Sequence, residues 1–486
     1  MFRISHSPRR LATVIAASVA TSIALCSFLG QAGCQRKDPL AERKFHLLLE
    51  ENQRLMAAVT ALDPSQTGKS ASVAAEITLE NAGKLSAEND RLREILTQSE
   101  REKALAANKT QRETIERAVV AIRGLKFLTP VDYSVLSRKQ IRQTISGKLA
   151  EVFSEQEFKN MTEAMAAIGL LPSGYPLREK YIDLLGEQVA AFFDQHTHKL
   201  FMYEDASLDN AQNRVILAHE LTHALQDQHF GLKRMPLEIK NNDDRANASS
   251  ALVEGDATLV MSEYMLKNMS RQMFKDSMVA SFSQNMKQLE TAPRYLREML
   301  VFPYLRGQEF CAALFARGGY EAVSAAYANP PSSTSQILHP EKYLATPRED
   351  PIAIEWSNLS LKGEKTIADN TVGEMGIRIL FTEWVDAHTG EQAAEGWRGD
   401  RYLYFAGGKA LLWKSVWANP KDASEFFEAE KKLLEKRDHP AAARSGERSY
   451  EADAPRTIRL QKTDADEVIL IDAADAGWAK ALEGLR

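Results

Sequence analysis

Val215-Ile-Leu-Ala-His219-Glu220-Leu-Thr-His223-Ala-Leu-Gln-Asp227 sets two histidines four residues apart, with a glutamate directly after the first. At 3.6 residues per turn, positions i and i+4 project from one face of a helix, so both imidazoles can reach a single ion about 2 Å from each nitrogen. Glu220 lies about 100° further round, where it can take a proton from metal-bound water without being a ligand. Val215, Ile216, Leu217, Leu221 and Leu225 make most of the remaining surface apolar, which predicts a buried helix over 213–229. Burying imidazoles and a carboxylate costs free energy unless a metal or fixed partners compensate. The pattern therefore predicts Zn2+ held by His219 and His223, with Glu220 as general base for hydrolysis of a peptide or protein substrate.

A catalytic zinc site takes three protein ligands and a water. The best source of the third is Ala251-Leu-Val-Glu254-Gly-Asp256-Ala-Thr258. Glu254 stands beside Leu252 and Val253 near the start of a helix expected over 248–268, and is assigned as the ligand. Asp256 is its main competitor, followed by Asp243 and Asp244, and a plain helix-start charge is the other reading of Glu254. A donor is also needed for the oxyanion. His339 leads, because it follows the break Pro330-Pro-Ser-Ser-Thr-Ser335, where a loop can carry it to a cleft; a structural histidine is the alternative. Tyr343 and Tyr264 come next, the latter reading more readily as core. His196 and His198 fall in an expected turn, and His229 at the end of the zinc helix can complement its dipole.

His219 to Asp227 reads H-E-L-T-H-A-L-Q-D, which resembles the zinc helix of thermolysin-like peptidases, H-E-L-T-H-A-V-T-D. That resemblance to the gluzincin clan implies His219 and His223 as zinc ligands, Glu220 as base, and Asp227 as an acid supporting the metal site or its surroundings. A glutamate from a later helix as third ligand is implied by role alone, because Glu254 follows His223 by 31 residues, a longer interval than in thermolysin. Glu187 to Asp194, Glu254-Gly-Asp-Ala257, Phe302-Pro-Tyr304, Pro330 to Tyr343 and Gly396 to Arg401 resemble phrases of poorly characterised bacterial exported gluzincin-like proteins. Together these cover about residue 124 to the C-terminus and imply a fold and a zinc site without a substrate.

Arg3, Arg9 and Arg10 precede an uncharged run over 11–30 that ends in Gln31-Ala-Gly-Cys34, the layout of an export signal. Small residues before Cys34 resemble a lipoprotein signal, although Gln31 stands where a leucine is usual. Cys34 is the expected lipidation site, with simple cleavage or a retained membrane span as alternatives. An envelope protein anchored to a membrane follows. Cleavage there would leave Cys311 as the one unmodified thiol and no internal disulfide. The net charge of -5, from 61 basic and 66 acidic residues, gives no field that would attract nucleic acid.

Leu48, Leu55, Leu62, Leu85, Leu92 and Ile95 suggest helices over 35–123, a coiled-coil stalk capable of self-association or a looser helical linker. Residues 124–360 read as the mainly helical, zincin-like catalytic domain. Strands are expected within 127–133 and as a hairpin over 189–203, whose first strand could receive an extended peptide. Beyond 361 the alternation of aromatic strands with helices reads as a small α+β domain over 361–486, with helices against one antiparallel sheet. Gly396-Trp-Arg-Gly-Asp-Arg401 reads as a tight turn with a local ion pair. The fold class is α+β. Two other functions fit the same residues: an envelope scaffold with a structural zinc site, and a zinc hydrolase of peptidoglycan peptides.

Overall fold

The computed structural model describes residues 105–106, 108–152, 154–186, 191–204, 206–239, 241–269, 291–356, 360–361, 363–438 and 443–484. The export signal, Cys34 and the heptad leucines lie outside them. Among the described residues no helix is long and apolar enough to cross a membrane.

The order begins with α1 (Lys109–Arg123), β1 (Asp132–Leu136), α2 (Arg138–Val152), α3 (Glu155–Ile168), α4 (Leu177–Gly186), β2 (Ala191–Asp194) and β3 (Lys199–Tyr203). β2 and β3 form the expected antiparallel hairpin. β1 falls later than the expected 127–133 and pairs parallel with β3, so the hairpin is completed to a three-stranded mixed sheet ordered β1-β3-β2. The hairpin lies against α5 (Ala211–Phe230), the helix of the His-Glu-x-x-His run. Asn210 caps α5 by accepting the amide of Gln212, and Gly231 ends it in a left-handed conformation. Every residue of α5 from Val215 to Asp227 is buried, as a helix apolar around most of its circumference requires.

α6 (Asp243–Asn268) begins five residues before the expected start at 248. Asn242 caps it by accepting the amide of Arg245, while Asp243 and Asp244 place negative charge on the first turn. Glu254 consequently sits in mid-helix, and the helix-start reading of its charge does not apply. α7 (Arg294–Ala326) runs along α6, interrupted by non-helical backbone at Gly318 and Gly319. α8 (Thr334–Leu338) and α9 (Pro340–Leu344) follow.

The remainder comprises β4 (Ser360–Leu361), β5 (Glu364–Asn370), α10 (Gly373–Trp384), α11 (Ala387–Ala394), β6 (Trp397–Phe405), β7 (Ala410–Trp417), α12 (Pro420–Asp438), β8 (Arg444–Ser445), β9 (Ser449–Ala452), β10 (Thr457–Lys462), β11 (Glu467–Ala473) and α13 (Ala476–Glu483). Its eight strands form one sheet ordered β4-β5-β6-β7-β11-β10-β9-β8. All seven pairings are antiparallel. The fold is thus α+β. Helices cover one face, where Leu380, Phe381, Phe426 and Leu433 meet Trp413, Leu460 and Leu470. Ala164, Ile168 and Leu170 from the first half of the chain belong to that same core.

The segment Gly396 to Arg401 is a correction: it enters strand β6 rather than making a tight turn. The Asp400 carboxylate accepts the amides of Val372 and Gly373 at 2.9 and 2.8 Å and the indoles of Trp397 and Trp413 at 3.0 and 2.9 Å. Arg401, on the other face of the strand, forks onto both oxygens of Asp369 at 2.8 Å.

Glu430 on α12 is buried beneath this sheet. Burial pushes its carboxyl from an ordinary 4.5 up to about 8, with Arg437 lowering it and Asp438 and Asp472 raising it. A raised carboxyl keeps its proton when folded and gives it up when unfolded, so stability falls as pH climbs from about 4.5 to about 8. Glu430→Gln is expected to remove that fall, gaining roughly 2–4 kcal/mol over the parent at pH 9 and nearly nothing at pH 4.5. Urea midpoints across the range check it, and parallel pH profiles for the two proteins would refute it.

Candidate metal centre

His219 and His223 project from one face of α5, and Glu254 meets them from α6. His219 Nε2 lies 3.1 Å from Glu254 Oε2 and 2.9 Å from His223 Nε2, and His223 Nε2 lies 3.4 Å from the same oxygen. One ligand atom from each therefore falls within 4.8 Å of the others. A tetrahedral zinc with bonds of about 2 Å spaces its ligands about 3.3 Å apart, so the triangle has the size such an ion needs. Two imidazoles and a carboxylate are also the donor set found in catalytic zinc sites of the His2Glu kind.

All members are deeply buried: His219 and Glu220 are 0% exposed, Glu254 1% and His223 3%. Burial and the neighbouring His223 press the His219 imidazole down to about 4. Burial acts the same way on His223, but the Glu254 charge and hydrogen bond, the Glu220 charge and the Gln226 hydrogen bond together outweigh it and lift that ring to about 9. Burial works to raise Glu254, and the His223 charge and the imidazole hydrogen bonds hold it below its usual value. Two nitrogen lone pairs facing each other at 2.9 Å repel, so the apposition is favourable only with a proton or a metal cation between them.

Glu220 projects to the hairpin side. Its Oε2 accepts the Phe193 amide of β2 at 2.8 Å, whereas Oε1 is buried with no hydrogen-bond partner among the described residues. A buried orphan acceptor beside the ligand triangle is what a water on a cation would satisfy. Burial lifts this carboxyl to about 8, against the lowering effects of His223 and the Phe193 amide.

Other expected residues are occupied elsewhere. Asp256, the competing ligand, pairs with Arg123 at 2.8 Å and accepts from Gln226 and the Tyr327 hydroxyl. Asp244 accepts the amide and hydroxyl of Thr334. Asp227 accepts from His198 Nδ1 at 2.5 Å and from the Leu232 amide, so it ties the hairpin turn to the end of α5 rather than supporting a ligand. His339 Nε2 is held by buried Glu374 at 2.6 Å, with Lys342 on the other carboxylate oxygen. Tyr343 donates to the Asn329 carbonyl, and Tyr264 is buried in the core. His229 bonds the Lys126 carbonyl.

Three neighbours escaped sequence reasoning. Gln226 bonds His223 Nδ1 at 2.8 Å. Its position, seven after His219 and three after His223, was a usable signal, because a polar residue there shares their helical face. Tyr304, buried on α7, packs its ring 6.2 Å from that of His219. Arg123, which ends α1, reaches Asp256 across 133 positions, a contact no local pattern announces.

A family model described as Domain of unknown function (DUF8575) matches residues 361–483. That stretch holds β5 to α13 and none of the triangle. No curated protein and no solved structure matches the chain.

Proposed function

We propose that this chain is a zinc-dependent hydrolase of peptide bonds, with His219, His223 and Glu254 as metal ligands and Glu220 as general base. The observation that carries the reading is the buried triangle flanked by a carboxylate with one oxygen anchored and the other unpartnered. A zinc ion held there would acidify a bound water and polarise the scissile carbonyl. The Phe193 amide fixes Glu220 through Oε2, which leaves Oε1 to accept the water proton and hand it to the departing amine. A carboxyl lifted toward neutrality suits both transfers. The zincin-like class of the helical half, and export with a lipid on Cys34, belong to the same proposal and rest on the sequence features alone.

A second reading, a closed zinc site that serves only structure, is favoured by the near-complete burial of all four side chains. Such a site gives Glu220 no task. Zinc content and casein cleavage by the full chain and by Glu220→Gln separate the two. The hydrolase reading expects one zinc per chain in both proteins and cleavage reduced by about 10²–10⁴ in the variant. Stoichiometric zinc with no cleavage by either would transfer the assignment to the structural site.

A further inference from the structure

We infer that Gln226 fixes which nitrogen of His223 faces the metal, and that Asp256, held by Arg123, fixes which way round the Gln226 amide sits. This rests on the zinc reading but has its own test. Gln226 is fully buried, and each end of its amide is committed. Nε2 donates to the Val253 carbonyl at 3.0 Å and to Asp256 Oδ2 at 3.1 Å. Both partners are acceptors, so the NH2 end must face them and the carbonyl end must face His223. Oε1 then lies 2.8 Å from His223 Nδ1, a contact that is attractive only when Nδ1 carries a hydrogen. With the hydrogen on Nδ1, the lone pair of the neutral ring is on Nε2, the nitrogen 3.4 Å from Glu254.

Asp256 holds the amide in place only while it remains an acceptor. Arg123 supplies the reason: its guanidinium lies 2.8 Å from Asp256 at 1% side-chain exposure, and the Tyr327 hydroxyl donates to the same carboxylate at 2.9 Å. Arg123 is itself bound by Ser324 Oγ at 3.0 Å and lies under the Tyr320 ring, 4.9 Å from its centroid. Helices α1, α5, α6 and α7 thus converge on one buried chain of contacts, Arg123–Asp256–Gln226–His223. It ends at a metal ligand and makes Gln226 a positioning residue. Partners of this kind typically change metal affinity 10–100-fold when removed.

The test uses the full chain with histidine-selective 15N labelling. In metal-free protein His223 is expected to show an Nδ1–H that exchanges slowly with solvent, whether or not Nε2 is also protonated. Gln226→Met, close in volume and without an acceptor, is expected to lose that protected proton and to bind zinc 10–100-fold more weakly in chelator competition. Asp256→Asn, whose oxygen stays with Arg123 and whose NH2 then faces the Gln226 NH2, is expected to lower both signals in part, because the Val253 carbonyl still holds the amide. An exchange-labile His223 Nδ1–H in the parent, or one unchanged in Gln226→Met, overturns the inference. Parent-like protection of that proton in Asp256→Asn overturns the part given to Asp256. A protected proton in a parent that binds no zinc sinks the metal reading and leaves the tautomer assignment standing.

Discussion

Glu254→Ala is expected to weaken zinc binding by more than about 100-fold and to abolish the stabilisation that zinc gives the parent chain. Outer partners of ligands are worth 10–100-fold, and Glu254 is the only anionic corner of the triangle, with one oxygen reaching both imidazoles. Without it the site reduces to two nitrogens on one helix face, both uncharged when they bind an ion. In the parent, free zinc at a thousand times Kd would add about 4 kcal/mol to the folded state. For a chain of 486 residues, whose unfolding entropy is about 1 kcal/mol/K, that is a rise of roughly 4 °C in the unfolding midpoint. The variant should show almost none of it at the same free zinc. Asp256→Ala gives the contrast. It leaves Arg123 buried without its carboxylate, which costs about 3–5 kcal/mol with or without zinc. A parent-like zinc shift in Glu254→Ala, with loss in Asp256→Ala, would move the third ligand to Asp256.

The helix of the two histidines was legible because its signal is local. Two histidines, a glutamate and five aliphatic residues within one periodic run predict burial, face and chemistry together. Glu254 was legible as an acid in an apolar setting, but its place in the helix was misread because the cap is Asn242, six residues before the expected start, and the polar Asn-Asp-Asp run reads as loop. The β6 segment failed for a related reason. Two glycines and a charge pair imitate a turn, yet Gly399 is required because the Ile352 carbonyl comes so close that a Cβ would lie 2.3 Å from it. Asp400 is buried by four donors, three from two other parts of the chain and one from its own strand, which composition cannot show. Likewise Asp227 matched the resembled motif in identity while its side chain follows the hairpin, because a partner is set by tertiary position and not by spacing from a ligand.

Gly255→Ala and Gly307→Ala are each expected to destabilise the protein by about 3 kcal/mol or more, an overpacking penalty at the upper end of its usual range. A Cβ on Gly255 would lie 2.1 Å from both the carbonyl carbon and the oxygen of Gly307, and a Cβ on Gly307 would lie 2.1 Å from the Ala251 carbonyl oxygen. The obstacle at each position is backbone, so no rotamer change relieves it and α6 must move off α7 by roughly 1.5 Å to reach ordinary van der Waals contact. Gly255 follows Glu254 directly, and Tyr304, packed on His219, lies one turn before Gly307. Separating the helices therefore shifts Glu254 relative to the two histidines, and zinc affinity should fall along with the unfolding midpoint, by roughly 3 °C or more for the midpoint. The two substitutions open the same gap, so the second should cost less once the first is made. A double-mutant cycle followed by thermal unfolding is expected to give a coupling of about 1 kcal/mol or more in that direction. Strict additivity, or a variant at either glycine with parent-like stability and zinc affinity, would show that the helices do not meet at these residues and that Glu254 is placed by some other contact.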